Sequence, residues 1–241
     1  MTIRVGVMGA AGRMGSEVCR AVEADGDLEL VAQVDQDDSL EALADARAEV
    51  AVDFTTPESV KDNVLFCLGR GVHAVVGTTG LSQQDLDEIE AATGEANAVV
   101  APNFALGAVL MMAFARQAAS HFETAEIIER HHERKLDAPS GTALRTAELM
   151  NEARAGGWAE VAGSRDDDSR GLDASGINIH SVRSVGSVAH QEVVFGGPGE
   201  TLTIKHDSID RKSFMPGVIL AVKKVGERPG LTVGLENLLD L

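Results

Sequence analysis

A strand, a glycine-rich turn and a helix follow one another at the start of this chain. Residues 3–8 have the pattern of an apolar strand, glycines stand at positions 9, 12 and 15, and an apolar helical pattern follows. Glycines in such a turn let the backbone approach a pyrophosphate, whose charge the helix N-terminus favours. The spacing is G-x-x-G-x-x-G rather than G-x-G-x-x-G, and similar turns also occur in proteins that bind no nucleotide. The candidate cofactor-binding residues in this turn are Gly9, Ala10, Ala11, Gly12, Arg13 and Met14.

An acidic residue ends the second predicted strand. Residues 28–34 form that strand, and Asp35 follows it, twenty residues after Gly15. A carboxylate at this place can accept hydrogen bonds from an adenosine ribose, and it repels a 2′-phosphate. Gln36 comes next, where an arginine would favour the phosphate, but Arg13 can reach the adenosine end. We therefore predict use of both NADH and NADPH, with NADH ahead.

Strand and helix patterns alternate over the first hundred residues. Predicted strands at 3–8, 28–34, 50–54, 72–76 and 97–101 alternate with helical stretches near 13–24, 57–69 and 82–93. This order predicts an α/β fold with a Rossmann-like, doubly wound parallel sheet. Ligands bind such sheets at the carboxyl ends of the strands, so the loops there are candidate cofactor contacts. Besides Asp35, these candidates are Gly77, Thr78, Thr79, Ala101, Pro102, Asn103 and Phe104.

The densest group of proton-transfer and anion-binding side chains lies between residues 129 and 144. The segment reads Glu129-Arg-His131-His132-Glu-Arg-Lys135-Leu-Asp137-Ala-Pro139-Ser140-Gly141-Thr142-Ala-Leu144. Histidine changes charge near neutral pH, and Lys135 supplies a cation for a carboxylate or a second proton. Adjacent side chains point in different directions, so His131 and His132 should have different roles. The segment predicts the site of the chemistry; the alternative is a surface loop with solvated charges and a helix cap.

A new helix is predicted to begin inside this segment. Pro139 cannot lie within a helix, and Ser140 is a good N-cap, so the helix should start at Gly141. Its first backbone N–H groups have no partner within the helix and can bind an anion. This start predicts a place for a negatively charged substrate group.

After Phe104 the pattern changes. A helix over 106–115 precedes a strand over 124–129, and extended stretches follow at 177–183, 188–195 and 200–206, with residues 196–199 as the turn of an antiparallel pair. The methionines of the first helix indicate core packing. These elements predict a second α+β domain on a mixed open sheet. Residues 166–168 form an acidic run, which we interpret as a solvated face rather than a metal site.

Charge and composition exclude several classes of partner. The chain has 38 acidic and 21 basic residues, and its formal net charge of -17 repels nucleic acid and anionic membrane surfaces. No stretch reaches the roughly 20 apolar residues of a membrane span, and the first residues carry no secretory signal pattern. Cys19 and Cys67 lie in predicted helices among apolar neighbours, which predicts buried thiols. We therefore expect a cytoplasmic protein in a reducing compartment, without nucleic-acid or membrane partners.

Residue types also exclude some reaction chemistries. Short-chain dehydrogenases and aldo-keto reductases use a catalytic tyrosine, and this sequence contains none. Dehydrogenases that form a thiohemiacetal need an exposed cysteine, which neither Cys19 nor Cys67 is expected to provide. The order His131-His132-Glu133 lacks the His-Glu-x-x-His spacing that sets two zinc ligands on one helical face. We therefore predict a metal-free reaction.

Together these segments resemble one family, the 4-hydroxy-tetrahydrodipicolinate reductases, also called dihydrodipicolinate reductases. The resemblance covers the chain end to end and rests most on the string His-His-x-x-Lys-x-Asp-Ala-Pro-Ser-Gly-Thr at residues 131–142. The other matching segments are residues 9–15, 76–80, 101–104 and 206–208 and the Phe-x-Pro-Gly of 214–217. One departure is visible, because the stretch from Gln36 to Arg47 is shorter than the loop usually found there.

The resemblance implies an NADH- or NADPH-dependent oxidoreductase that reduces a cyclic dihydropyridine dicarboxylate in lysine and diaminopimelate synthesis. It implies His131 as the general acid and Lys135 as a further proton donor. The residues implied to hold the two substrate carboxylates are His132, Lys135, Gly141 and Thr142. It also implies that residues 1–103 and 216–241 bind the dinucleotide, while residues 104–215 bind substrate and form subunit contacts. The implied assembly is a homotetramer in which the open sheets of the second domain cover one another.

Two other functions stay open at the level of sequence. One is an NAD(P)-dependent reductase of a different small acid, such as an amino-acid semialdehyde. The other is a nonenzymatic redox sensor whose first domain binds the nucleotide and whose second domain binds a partner. No helix-turn-helix with a basic face is evident, and the acidic balance disfavours DNA as that partner.

Overall fold

The computed structural model describes residues 2–161 and 168–239. The chain divides into two compact units, the first formed by Met1–Leu106 with Arg211–Leu241 and the second by Gly107–Asp210. The boundaries expected from the sequence are at 103 and 215, so residues 104–106 and 211–215 lie in the first unit rather than the second. The functions assigned to the two units remain predictions.

The first unit is built on a sheet of six strands. They are β1 (Ile3–Met8), β2 (Leu28–Val34), β3 (Val50–Asp53), β4 (His73–Val76), β5 (Ala98–Val100) and β11 (Leu231–Val233). Their order is β11-β5-β4-β3-β1-β2, and each neighbouring pair is parallel. This confirms the predicted Rossmann-like parallel sheet.

Helices accompany the strands of the first unit. They are α1 (Gly15–Ala24), α2 (Glu41–Asp45), α3 (Val60–Gly69), α4 (Gln83–Ala92) and α7 (Met215–Lys224). Every residue of β3 and β5 is buried, as expected for inner strands of a parallel sheet that is covered on both faces. The sequence analysis missed α2, because five residues are too few for a helical period to be recognised.

The second unit is built on a mixed sheet of five strands. They are β6 (Thr124–His131), β7 (Leu172–Asp173), β8 (Asn178–Arg183), β9 (Ala189–Gly197) and β10 (Glu200–Ser208), and the two helices are α5 (Leu106–Ala118) and α6 (Gly141–Glu152). The order is β10-β9-β6-β8-β7, with β6 and β8 parallel and the other pairs antiparallel. This confirms the predicted mixed sheet.

One face of this second sheet forms the core. Ile127, Val193 and Phe195 are buried there in one cluster with residues of α6, including Met150. On β6 the buried residues alternate with more exposed ones, as the period of two of a strand requires. Met111 and Met112 of α5 are also buried, so their interpretation as core residues is confirmed.

Several strand boundaries differ from the sequence prediction by one or two residues, and two of these differences change its interpretation. β9 runs through Gly197, so the turn before β10 is Pro198-Gly199 rather than residues 196–199. β6 runs past Glu129 to His131, because β8 and β9 pair with it on both sides up to that residue. The first histidine of the predicted catalytic segment is therefore held by a central strand rather than by a loop.

The thiols, the membrane spans and the metal groups can be compared with the sequence predictions. Cys19 and Cys67 are free and buried, and burial raises the pKa of the Cys67 thiol to about 12, which disfavours a thiolate nucleophile. None of the described helices combines the length and the apolar character that a membrane span requires. The parts of the chain that the structure describes contain no group of three or more His, Cys, Asp or Glu suited to a metal ion. Asp166 and Asp167 of the acidic run lie outside the described residues.

Candidate active site

The turn after β1 brings three glycines against neighbouring backbone. Gly9 has φ of +75°, and a Cβ there would clash with the carbonyl oxygen of Phe54. A Cβ on Gly15 would clash with the carbonyl of Gly9, so α1 starts directly against the turn. Gly12 donates its N–H to the same Gly9 carbonyl at 3.0 Å. Side chains larger than glycine would clash here, so the three glycines form a glycine cradle. Its backbone is open to the close approach of a pyrophosphate.

The other predicted residues of this turn differ in exposure. Ala10 is buried and donates its N–H to the Val34 carbonyl at 3.4 Å. Arg13 is exposed, and Met14 is half-buried at the N-cap of α1. The guanidinium of Arg13 is therefore accessible to a ligand in the turn.

Asp35 lies at the carboxyl end of β2 and is bonded to the glycine turn. Its two carboxylate oxygens lie 3.1 and 3.0 Å from the backbone nitrogen of Ala11, which donates to them. The backbone N–H of Asp35 donates to the carboxylate of Asp38 at 2.9 Å. The end of β2 is thereby fixed beside the turn, as a ribose contact at this place requires.

A cavity of about 760 Å³ opens at the carboxyl ends of β1, β2 and β3. Gly9, Gly12 and Asp35 line it, and so do Asp38 and Glu58, which the sequence analysis did not select. None of the described residues that line this cavity is a lysine or an arginine. Its volume lies within the range of roughly 300–1,000 Å³ that is usual for cofactor sites, and its charged groups are acidic.

A buried polar network supports the loop that follows β3. Asp53 is fully buried, and its carboxylate accepts hydrogen bonds from Thr55, from the Thr78 hydroxyl at 2.5 Å and from the Asn63 amide at 2.9 Å. Thr78 in turn accepts the Thr55 N–H at 2.8 Å. Thr78 therefore joins the loops after β3 and β4, a role the sequence did not indicate.

The remaining predicted cofactor residues lie at the same edge of the sheet. Gly77, Thr78 and Thr79 follow β4, and residues 101–104 follow the adjacent strand β5. Thr79 and Pro102 are exposed, while Asn103 is half-buried and accepts the Ala105 N–H through its side chain at 2.9 Å. Ala101 and Phe104 are buried, and the Phe104 ring packs against Phe54 with 6.0 Å between the ring centroids. The structure thus brings these loops to one sheet edge, and their contact with a cofactor remains a prediction.

In the second unit, the end of β6 carries a histidine bonded to a buried carboxylate. His131 Nδ1 lies 2.5 Å from Oε2 of Glu129, which is fully buried. The two residues are two positions apart on one strand, so their side chains project from the same face. Burial lowers the pKa of His131 below its usual value, and the bond to Glu129 opposes that shift. With Nδ1 bonded to a carboxylate, Nε2 is the ring atom available for proton transfer.

Arg183 completes this cluster from the neighbouring strand. The register pairs Arg183 of β8 with His131 of β6. Its Nη1 and Nη2 donate to the two oxygens of Glu129, both at 2.8 Å, which is the bidentate geometry that arginine forms with carboxylates. Burial alone would raise the pKa of Glu129, but the bonds from Arg183 and His131 outweigh it and keep the pKa below its usual value. Glu129 is therefore a buried anion.

The loop after β6 carries the other predicted catalytic residue. Lys135 Nζ lies 2.8 Å from each carboxylate oxygen of Asp137. Its side chain is 23% exposed, whereas that of Arg134 is 84% exposed. His132 is half-buried and accepts the Arg134 N–H through Nδ1 at 3.2 Å. Lys135 is thus a cation already placed beside a carboxylate, while Arg134 extends into solvent.

Helix α6 begins where the sequence predicts. Ser140 is its N-cap and accepts the Ala143 N–H through its hydroxyl at 3.2 Å, as expected. The Ser140 N–H donates to Oε1 of Glu129 at 3.1 Å, so the buried carboxylate that contacts His131 also holds the helix start. Gly141 is exposed and Thr142 half-buried, and they supply the first two backbone N–H groups of the helix. This arrangement can bind an anionic group beside His131.

Sequence reasoning missed the roles of Glu129, Arg183 and Asp137. A signal for Glu129 was present, because it occupies the apolar face of β6 with Ala125 and Ile127. A carboxylate on the buried face of a strand needs a hydrogen-bonding or charged partner that is buried with it. No local signal identifies Arg183, since its contact with Glu129 joins residues 54 positions apart.

Both parts of the chain match one known family. The family pattern described as "Dihydrodipicolinate reductase, N-terminus" matches residues 3–104, and the one described as "Dihydrodipicolinate reductase, C-terminus" matches residues 107–239. The chain is 55% identical to the 4-hydroxy-tetrahydrodipicolinate reductase of Nocardia farcinica, with all of both chains covered. It is 52% identical to the enzyme of that name from Corynebacterium diphtheriae, again with all of both chains covered.

A solved structure is similar throughout. It is the dipicolinate-bound dihydrodipicolinate reductase of Paenisporosarcina sp. TG-14, which is 40% identical, with a TM-score of 0.90 over 98% of this chain and 99% of that one. The resemblance seen in the sequence therefore extends to the fold of the whole chain. Since both family patterns match in order and the relatives are similar from end to end, this chain belongs to the dihydrodipicolinate reductase family.

Proposed function

We propose that this chain catalyses the reduction of 4-hydroxy-tetrahydrodipicolinate to tetrahydrodipicolinate, with NADH or NADPH, in lysine and diaminopimelate synthesis. The observation that carries the proposal is the His131 ring, bonded to the buried Glu129 beside a helix start suited to anions. Membership of the family supports the same reaction, because the relatives that carry this name match over their full length.

The first unit binds the dinucleotide in this proposal. The glycine cradle at Gly9, Gly12 and Gly15 receives the pyrophosphate at the start of α1, where the helix dipole favours negative charge. Asp35 accepts hydrogen bonds from the adenosine ribose, and the loops after β4 and β5 contact the nicotinamide end. When bound there, a reduced nicotinamide would supply a hydride to the conjugated double bond that the substrate gains when it loses its 4-hydroxyl group as water.

The second unit binds the substrate and supplies the proton. His132 and Lys135 hold one carboxylate, and the N–H groups of Gly141 and Thr142 hold the other. In this proposal the substrate carboxylate replaces Asp137, whose two carboxylate oxygens now lie 2.8 Å from Lys135 Nζ. After hydride addition, His131 donates a proton from Nε2 to the enamine carbon, and Lys135 is the second candidate donor. The two negative charges of the substrate favour the protonated ring, which offsets the lowering of the His131 pKa by burial.

The acidic cavity supports a preference for NADH over NADPH. Asp35, Asp38 and Glu58 all line it, and a 2′-phosphate would add about two further negative charges. Arg13 is exposed and directly follows Gly12, which lines the cavity, so its positive charge allows some use of NADPH. Both cofactors are therefore substrates in this proposal, with NADH ahead.

A homotetramer and a cytoplasmic location belong to the same proposal. Ile128 of β6 and Val182 of β8 are 40% and 41% exposed on the sheet face opposite the core of the second unit. Covering such a face with that of another subunit removes apolar surface from water, which supports assembly through these sheets. The free, buried thiols of Cys19 and Cys67 support a reducing compartment. Sedimentation of the purified chain tests the assembly: a monomer at micromolar concentration would contradict it.

One assay tests the reaction itself. The substrate is prepared fresh from aspartate semialdehyde and pyruvate with the synthase of the preceding step, and NADH oxidation is followed by the loss of its absorbance. We expect turnover that depends on both precursors and on this chain. Tight NADH binding without turnover would instead favour a redox sensor, and turnover with an amino-acid semialdehyde alone would favour a different reductase.

A further inference from the structure

The Glu129 carboxylate joins three parts of the proposed substrate site. Oε2 contacts His131 Nδ1 at 2.5 Å and Arg183 Nη1 at 2.8 Å. Oε1 accepts the Ser140 N–H at 3.1 Å and Arg183 Nη2 at 2.8 Å. Each oxygen therefore contacts two of these groups, which belong to β6, β8 and the N-cap of α6.

Arg183 extends the same network to Lys135. Its Nε donates to the Lys135 carbonyl at 3.3 Å, and Nη2 donates to the Asp137 carbonyl at 2.5 Å. One guanidinium thus spans the carboxylate that contacts His131 and the backbone of the loop that carries Lys135. The fixed fork of arginine suits this task, because lysine has a single nitrogen and cannot form parallel bonds.

We propose that Glu129 and Arg183 are positioning residues for the reduction: together they hold His131, Lys135 and the start of α6 in one arrangement, and the Glu129 carboxylate stabilises the protonated His131 ring. The second part rests on the proposed function, since it matters for catalysis only if His131 is the acid. Neither residue needs to touch the substrate, because each acts through the groups it holds.

The charged groups around the His131 ring predict the direction in which its pKa should change when Glu129 is replaced. The groups that act on it are Glu129 on its own strand, Lys135 in the following loop and Arg183 on β8. On the other side, β9 pairs His131 with the uncharged Ala189. Among the three charged groups only Glu129 raises the pKa of His131, while burial and the two cations lower it. Removal of the Glu129 charge should therefore lower the pKa further.

The experiment compares two matched substitutions on β6. Glu129→Gln removes the charge beside His131 but keeps the side-chain size. Glu126→Gln is the control, because Glu126 makes the same kind of contacts on the other face of the strand: His180 Nε2 lies 2.5 Å from its carboxylate and Arg170 also pairs with it. The pKa of His131 is measured in the full chain by NMR titration of ring-labelled histidine, and kcat is measured across the same pH range.

We expect Glu129→Gln to lower the pKa of His131 by about one unit or more, the usual size of an effect from one adjacent opposite charge. Glu126→Gln should leave that pKa unchanged. The decline of kcat with rising pH should start about one unit lower in Glu129→Gln, because only the protonated ring can donate. An unchanged His131 pKa in Glu129→Gln would overturn the proposal. A lowered pKa with an unchanged kcat profile would overturn the acid role of His131, which identifies the proposed function as the part that failed.

Arg183→Lys provides a second test, which examines the positioning role of Arg183 and does not depend on whether Glu129→Gln folds. It keeps the positive charge but loses the fork and the bonds to the loop of Lys135. We expect kcat/KM for the substrate to fall about tenfold, equivalent to roughly one charge-assisted hydrogen bond, with KM for NADH unchanged. Unchanged kcat/KM in this variant would overturn the positioning role of Arg183.

Discussion

The carboxylate of Asp35 accepts the backbone N–H of Ala11 with both oxygens, at 3.1 and 3.0 Å. This contact fixes the end of β2 against the glycine turn and directs negative charge into the cavity at the carboxyl edge of the sheet. Asp38 adds a second carboxylate, held by the backbone N–H of Asp35 at 2.9 Å. Both aspartates line the cavity, and only the first of them could be identified from the sequence.

Replacement of Asp35 by Ala should raise the ratio of kcat/KM for NADPH to that for NADH, because a repelling charge and a ribose acceptor are lost together. Arg13→Ala should lower the same ratio, since a cation that reaches the adenosine end is removed.

Asp38→Asn separates the effect of charge from that of hydrogen bonding, because the amide oxygen can still accept the Asp35 N–H. It should raise the ratio several-fold, up to about tenfold. A wild-type ratio that favours NADPH tenfold, or no response to Asp35→Ala, would contradict the proposed ribose contact.

Replacement of His131 by Gln should lower kcat by about 10²–10⁴-fold, the usual contribution of a general acid. NADH affinity should change little, because the substitution lies in the second unit, outside the proposed dinucleotide site. In the wild type, activity should decline as pH rises through the pKa of His131. Burial holds that pKa below its usual value near 6.5 in the free chain, so the decline in kcat/KM should begin below neutral pH. Unchanged turnover at every pH in His131→Gln would remove this residue from the mechanism.

Lys135 and Arg134 form a matched pair for locating the carboxylate site. Lys135→Ala should raise KM and lower kcat, because a charge-assisted hydrogen bond to the substrate is lost. Arg134→Ala should change both parameters much less, since its side chain is 84% exposed and pairs only with its neighbour Glu133 among the contacts seen. Equal losses in the two variants would show that the carboxylate binds elsewhere.

The pairing of Lys135 with Asp137 predicts that a substitution of Asp137 should lower KM, whereas Lys135→Ala should raise it. If the substrate carboxylate replaces Asp137 at the ammonium group, Asp137→Asn removes a competing anion and should lower KM for the substrate. The Asp137 carbonyl, which Arg183 contacts, is retained in this variant. Steady-state kinetics at constant NADH measures the change, and a raised KM would mean that Asp137 supports Lys135 rather than competing for it.

Most of the fold follows from local patterns in the sequence. The strands and helices of the first unit alternate regularly along the chain, so their order alone predicts a parallel sheet. The N-cap at Ser140 was also predictable, because capping depends on residues a few positions apart. The roles that the sequence could not identify depend on long-range pairing. Arg183 reaches Glu129 only because β8 pairs with β6, and Thr78 reaches Asp53 only because β4 pairs with β3.

The end of β6 shows why the local structure of a dense motif can be misread from the sequence. The charged run after Ile128 suggests a loop, yet pairing with β8 and β9 extends the strand to His131. Adjacent strand residues point to opposite faces, so His131 follows Glu129 to the buried face while Arg130 is exposed. The different roles predicted for His131 and His132 remain a prediction.

2,6-Pyridinedicarboxylate should inhibit competitively with the substrate, because it is planar and carries two carboxylates for His132 with Lys135 and for the start of α6. A relative in this family has been solved with dipicolinate bound. Lys135→Ala should weaken inhibition together with substrate binding. EDTA serves as the control for chelation and should leave activity unchanged; loss of activity in EDTA with recovery on adding zinc would overturn the metal-free reaction.

Substitution by alanine should change the free energy of unfolding in opposite directions at two helical glycines. A Cβ on Gly217 in α7 would clash with the Phe104 carbonyl oxygen and lie 2.9 Å from Cδ2 of Leu235. A backbone carbonyl cannot move cheaply, so Gly217→Ala should lower the free energy of unfolding by about 1–3 kcal/mol through overpacking. It should also weaken NADH binding if the Phe104 loop contacts the cofactor. A Cβ added to Gly69 at the end of α3 would meet nothing within 4 Å, so Gly69→Ala should stabilise the chain by about 0.4–1 kcal/mol, because it restricts the unfolded chain. Urea unfolding of both variants measures the difference, and an equal response would show that α7 shifts to accommodate the added methyl group.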